Sequence, residues 1–175
     1  PRGTPPTPSP RLKKEQSLPA LAQASMSQAI GEDQVAYHAT RLTSGIRLQN
    51  RSHDFSVSLD AGGIELRRGS DRWGMVLREF SRGQQPDRVK ATQPIASKNR
   101  VEYRRGALTE WYSNGPLGLE QGFTLAHPPR GAGEGPLVLG FELSGNLTTS
   151  IDPGAHSLSL ARDGVAAFQY AGLTA

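Results

Sequence analysis

RVEYRRGALTEWYSNGPLGLEQGFTL, residues 100–125, combines strand-forming side chains, one of the two tryptophans and an Asn-Gly step. Val101 and Tyr103 predict one strand, Ala107 to Ser113 a second and Leu117 to Leu125 a third, with Asn114-Gly115 as a hairpin turn because both types tolerate positive φ. The third strand sets Leu119, Phe123 and Leu125 on one face against Glu120, Gly122 and Thr124 on the other, so half its surface expects a core. Trp111 and Tyr112 are neighbours and must face opposite sides of the sheet. One of them packs inward and the other is open to contact.

The same two-residue period continues in both directions. Upstream, Phe55, Val57 and Leu59 share a face, Ile64 and Leu66 repeat it, and Ala61-Gly62-Gly63 joins them; Trp73, Met75 and Leu77 predict a further strand, with Phe80 extending its packing. Downstream, Leu137, Leu139, Phe141 and Leu143 alternate, followed by Leu147, Thr149 and Ile151, by Leu158 and Leu160, and by Phe168 and Tyr170. Ser144-Gly145, Asp152-Pro153-Gly154 and Asp163-Gly164 supply the turns between them. Short strands at this spacing fit a β-sandwich or a β-barrel. Residues 81–99 are polar and hold Pro86 and Pro94; a loop of this length is uncommon, a short strand around Arg88 to Thr92 fits within it, and the prolines forbid a long one.

At the N-terminal end, Leu18, Leu21, Ala22, Met26 and Ala29 make a weak apolar stripe that predicts a short helix from Leu18 to about Ile30, with Gly31 as its stop. Val35, Tyr37 and Ala39 then alternate with polar or small residues as a first strand. Residues 1–16 contain Pro1, Pro5, Pro6, Pro8 and Pro10 and lack apolar periodicity, so they are expected to be a disordered spacer or linker. The expected fold is all-β, mainly antiparallel hairpins and sandwich-like, with one short N-terminal helix and a disordered Pro-rich tail. Residues 17–175 are expected to form a single β-rich domain, the N-terminal part of a longer chain.

Composition excludes several functions. The hydrophobic share is 35%, with 20 glycines and 13 prolines, which favours short strands and many turns over long helices. Most of the formal +4 charge lies in the tail, where Arg2, Arg11, Lys13 and Lys14 face only Glu15. The nearly neutral body lacks the concentrated basic face of a nucleic-acid domain, the pairs Arg67-Arg68 and Arg104-Arg105 being modest. With no cysteine, thiol catalysis, thiolate metal sites and disulfides are all ruled out. No apolar run reaches the length of a membrane span. RLKKEQSLPALAQAS has basic residues ahead of an Ala22-Gln23-Ala24 step, but its apolar part is too short for a secretory leader. A processed fragment whose leader is missing is the expectation.

Several segments together resemble the N-terminal β-rich domains that precede FG-GAP (integrin-type) repeats in large bacterial secreted or cell-surface proteins. The likeness covers about Val35 to Ala175. It is carried by QNRSHDFSVSLDAGGIELRR at Gln49 to Arg68, by WGMVL at Trp73 to Leu77, by NRVEYRRGALTEWYSNGPLGLEQGFTLAHPP at Asn99 to Pro129, and by YAGLTA from Tyr170. The resemblance implies an extracellular or cell-envelope setting, downstream domains of the same chain as partners, and a non-catalytic structural or adhesion role. The clustered Asp and Asn of the repeats' calcium loops do not occur in this chain, so no cofactor is carried over.

The remaining chemistry is sparse. Glu110 and Glu120 would suit glycoside hydrolysis if cross-strand pairing brought their carboxyl groups within about 5–9 Å; as solvent-face residues balanced by Arg104 and Arg105 they are ordinary for an exposed sheet. His38, His53, His127 and His156 show no metal-ligand spacing, and Ser52-His53-Asp54 and Ser70-Asp71 cannot form a triad from adjacent side chains. Asn50-Arg51-Ser52 and Asn146-Leu147-Thr148 match a glycosylation sequon, an accidental match in a bacterial setting. Trp73, Trp111 and Tyr112 are the candidate contacts for a protein or glycan ligand, because flat aromatic rings bury much area. No catalytic or metal-ligating residue is assigned.

Overall fold

The computed structural model describes residues 19–82, 86–127 and 135–172; the Pro-rich tail lies outside them. Helix α1 is Ala20–Asp33, followed by a 3-10 turn at Val35–Tyr37. The strands in chain order are β1 (Thr40–Leu42), β2 (Gly45–Asn50), β3 (Phe55–Asp60), β4 (Gly63–Arg68), β5 (Asp71–Arg82), β6 (Asp87–Arg88) and β7 (Ile95–Ser97). They continue as β8 (Arg100–Arg105), β9 (Leu108–Gly115), β10 (Gly118–Leu125), β11 (Leu137–Gly145), β12 (Thr148–Ile151), β13 (Ser157–Arg162) and β14 (Val165–Ala171). The protein is all-β with one helix, as the alternation predicts.

Three antiparallel sheets result. The first runs β1-β2-β3-β4-β5-β11 with β6 on β5, the second β10-β9-β8-β7, the third β12-β13-β14. Alternation and register together build the core. Ile46, Leu59, Ile64 and Met75 are successive partners across the first sheet, and Leu48, Val57, Leu66 and Trp73 form a second such row. Every member of both rows is buried, and Val101, Tyr103 and Tyr112 from the second sheet and Leu160 from the third pack against them. Burial stabilises by about 1.5–3 kcal/mol for each aliphatic side chain. The three ladders stay separate, and none of the described strands closes one of them into a barrel.

Four local expectations are overturned. Asn114-Gly115 is not the turn: both belong to β9, Gly115 pairs with Gly118, and the two-residue loop is Pro116-Leu117. Gly31 does not stop the helix but is buried within it. Val35, Tyr37 and Ala39 do not form a strand, because backbone bonds from Tyr37 to Gln34 and from His38 to Val35 wind this segment tightly, leaving Val35 78% exposed and Tyr37 buried. Ser144-Gly145 is likewise not a turn, since both residues pair with β5 at the end of β11. In the polar stretch between β5 and β8, the short strand placed around Arg88 to Thr92 reduces to β6 at Asp87–Arg88, and β7 follows. The Asp163-Gly164 turn is as expected, with positive φ at both residues joining β13 to β14.

The helix docks by small and polar groups, not by the expected stripe. Leu21 is 70% exposed, and Met26 is also open, whereas Ser27 and Gly31, one turn apart, are buried. Leu117 N–H donates to Ser27 Oγ at 3.1 Å, Asn99 Nδ2 to the Gln28 carbonyl at 3.2 Å, and Gln28 Nε2 to Glu120 Oε2 at 2.7 Å. A Cβ at Gly31 would overlap the Asn114 carbonyl, and one at Gly115 would overlap Ser27. Gly31→Ala should therefore lower the melting temperature although alanine gains about 1 kcal/mol in helix propensity. A raised melting temperature would show that the helix stands off the sheet.

Candidate binding cavity

The end of β9 and the loop after β2 are tied together before any cavity forms. Asn50 Nδ2 donates to Asn114 Oδ1 at 2.9 Å and to the Gly115 carbonyl at 2.8 Å, and Asn114 Nδ2 donates to the carbonyls of Gln49 and Tyr37 at 2.8 and 3.1 Å. His53 N–H donates to Asn50 Oδ1, and the His53 ring lies 2.7 Å from the Pro116 carbonyl. These bonds hold His53 and Leu117 as one edge of an opening between the sheets.

Behind it lies a cavity of about 550 Å³, within the range of small-molecule sites. The first sheet contributes Phe55, Ile64, Leu66, Arg68, Trp73 and Met75; the second, Tyr112, Leu119 and Gln121; the third, Leu160, Phe168 and Tyr170 among others. Among the described residues, no acidic side chain lines it.

One wall is a closed polar network. Tyr112 donates to Glu110 Oε1 at 2.6 Å, Gln121 Nε2 to Glu110 Oε1 at 3.1 Å and to the Tyr112 hydroxyl at 2.8 Å, and Tyr170 to Gln121 Oε1 at 2.9 Å. Glu110 is buried, and Arg105 Nη2 meets its Oε2 at 3.2 Å. Burial first, and then the Glu110 charge, push the Tyr112, Tyr103 and Tyr170 phenols above their ordinary range. Unfolded phenols ionise near pH 10, so above that pH the unfolded chain releases protons that the native chain keeps. The stabilisation is complete below about pH 10 and is lost as pH rises through the folded values. Ultraviolet titration should show these three phenols ionising together with loss of sheet structure; ionisation near pH 10 with the fold intact would contradict this.

The expected contact residues are divided between two surfaces. Tyr112 faces inward and lines the cavity, as does Trp73, whose ring centroid is 6.2 Å from that of Tyr170. Trp73 belongs to the core, and its buried indole N–H has no acceptor among the described residues. Trp111 faces outward, half-buried, over Gly122 where a Cβ would collide with its ring, and the Arg100 guanidinium carbon is 4.2 Å from its centroid. Glu110 and Glu120 are not brought together. The register pairs Glu110 with Phe123 and Glu120 with Ser113, an odd offset that turns the carboxylates to opposite faces. Glu110 is tied to Arg105, and Glu120 accepts from Gln28 of the helix.

Arg68, Gln121, Phe168 and Tyr170 are the cavity residues that motif reading missed. Their signal lay in the alternation: Arg68 continues the inward face of Ile64 and Leu66, and Gln121 sits between Leu119 and Phe123. Among the described residues, no helix is long and apolar enough to cross a membrane. Compared with known proteins, the chain matches no family model, no curated protein and no solved structure.

Proposed function

We propose that this chain is a non-catalytic binding and structural module of a bacterial secreted or cell-surface protein, placed ahead of a repeat array and holding a small ligand between its sheets. The cavity carries this reading: it is walled by three sheets, and the hydrogen-bonding capacity of its Tyr112-Gln121-Tyr170 wall is used within the second sheet and in tying that sheet to the third. The buried carboxylate behind that wall is paired with Arg105, which supports an architectural role for it. The setting rests on the resemblance alone. Its test is the reading frame on both sides of residues 1–175 together with fractionation of the host. Repeats downstream and protein in the envelope or medium are expected; a frame without repeats, with the protein retained in the cytosol, would remove the setting.

A second reading, glycan contact through the outer face, is favoured by Trp111 standing beside the charged row Arg100, Glu102 and Arg104. Glycan-array binding by the native chain that disappears in Trp111→Ala is its expected result. Binding unchanged by that substitution would exclude the indole.

A further inference from the structure

The walls of the cavity are not electrically symmetric. Among the described residues, Arg68 is the one lining residue that carries a permanent charge. Its guanidinium lies 4.5 Å from the Phe168 centroid, Nη2 donates to the His53 carbonyl at 2.8 Å and Nη1 to the Ala167 carbonyl, and Nε–H has no acceptor among the described residues. These partners are neutral. The acidic residue opposite Arg68 across the β4–β5 hairpin is Asp71, and its carboxylate is held by Arg162 at 2.9 Å. That carboxylate is therefore taken by Arg162, and Arg68 has no ion-pair partner among the described residues.

The rest of the lining is predominantly aliphatic and aromatic. A sugar would require several open hydroxyl-recognising groups, yet Tyr112, Gln121 and Tyr170 already bond one another, and the unpaired Trp73 indole N–H is a single donor. An apolar body loses nothing against such walls, and a partly desolvated guanidinium without a counter-ion favours an anionic group in the same space.

Resting on the reading of this cavity as a ligand site, we propose that its ligand is a small organic acid, with an apolar or aromatic body between the sheets and its carboxylate drawn to Arg68. The acid enters between the His53–Leu117 edge and the Phe168 strand, and its charge completes the local balance that Asp71 leaves short.

The test compares an acid with its uncharged isostere, on residues 1–175, using 3-phenylpropanoate against 3-phenylpropanamide and octanoate against octanamide. Titration calorimetry gives affinity, and a Trp111→Phe chain makes Trp73 the one fluorescent indole, reporting whether the probe reaches the cavity. The expected result is saturable binding of the acids that perturbs Trp73 emission and is about tenfold or more tighter than that of the amides, the worth of one charge-assisted contact. Arg68→Gln should erase the preference for the acid, and Arg68→Lys should keep part of it. Because the acid-against-amide comparison is made on the native side chain, a poorly folded Arg68 variant does not remove the test. Equal binding of acid and amide, with Trp73 perturbed by both, would overturn the organic-acid assignment and leave the cavity a ligand site. Absence of any Trp73 response and of any heat from all four probes would overturn the assignment and the binding reading together.

Discussion

Glu110→Ala should cost this protein about 3–5 kcal/mol, the loss expected when one member of a buried ion pair is removed and the other is left charged. The pair is almost wholly out of solvent, with side-chain exposures of 5% for Arg105 and 3% for Glu110. Arg105 would keep its bond to the Lys90 carbonyl at 2.6 Å and its position 4.8 Å from the Tyr103 ring, neither of which supplies negative charge. Tyr112 and Gln121 would lose their shared acceptor at the same time. Urea unfolding should show a lower midpoint at unchanged slope. The pair is not itself an efficient source of stability, since its single bond is 3.2 Å long and Arg105 Nε has no partner. The double variant Arg105→Met, Glu110→Leu should accordingly recover most of the loss. A Glu110→Ala cost below about 1 kcal/mol, the level of a solvent-exposed pair, would show that water reaches it.

What the sequence made legible was whatever depends on the two-residue period. The rows Ile46-Leu59-Ile64-Met75 and Leu48-Val57-Leu66-Trp73 follow from alternation once the hairpins are paired. The inward turn of either Trp111 or Tyr112 was also legible, although which one was not. What stayed hidden depended on distant partners. Asn-Gly is a strong local turn signal, but Asn114 is held in a strand by Asn50, Gln49 and Tyr37, and the turn moves on to Pro116-Leu117. Gly31 resembles a helix stop, but its missing side chain is what admits the Asn114 carbonyl. Arg68 was set aside as half of a modest basic pair, because counting charge along the chain ignores which face each residue takes. Arg67 pairs with Glu65 on the open side, while Arg68 turns toward the cavity. Polar residues at inward positions of an otherwise apolar alternation, namely Asn50, Arg68, Glu110, Asn114 and Gln121, were the readable sign of the site. Each interrupts a pattern that an ordinary core would continue.

Asn114→Ala should be the other large loss, about 3 kcal/mol or more, because one truncation takes a partner from several buried groups. Each such group costs about 1–3 kcal/mol: Asn50 loses an acceptor, and the carbonyls of Tyr37 and Gln49 lose a donor. Asn114→Asp should be worse than Asn114→Ala at neutral pH. It preserves the volume but puts a fully buried carboxylate oxygen against those two carbonyls, where an uncompensated charge is expensive. The consequence for function is local as well as global. The Asn50–Asn114 bond anchors the loop that carries His53, and the His53 ring rests on the Pro116 carbonyl at the cavity's edge. With the anchor removed, hydrogen exchange should accelerate first at residues 50–55 and 115–118, while the rows of the first sheet remain protected until global unfolding. Exchange that rises uniformly through the sheets would mean that Asn114 supports the whole fold without singling out the cavity edge. A localised rise, together with weaker binding of an organic acid, would tie the least expected residue of the 100–125 segment to the site beside it. The Asn-Gly step would then act not as a turn but as the clamp that sets the width of the cavity's mouth.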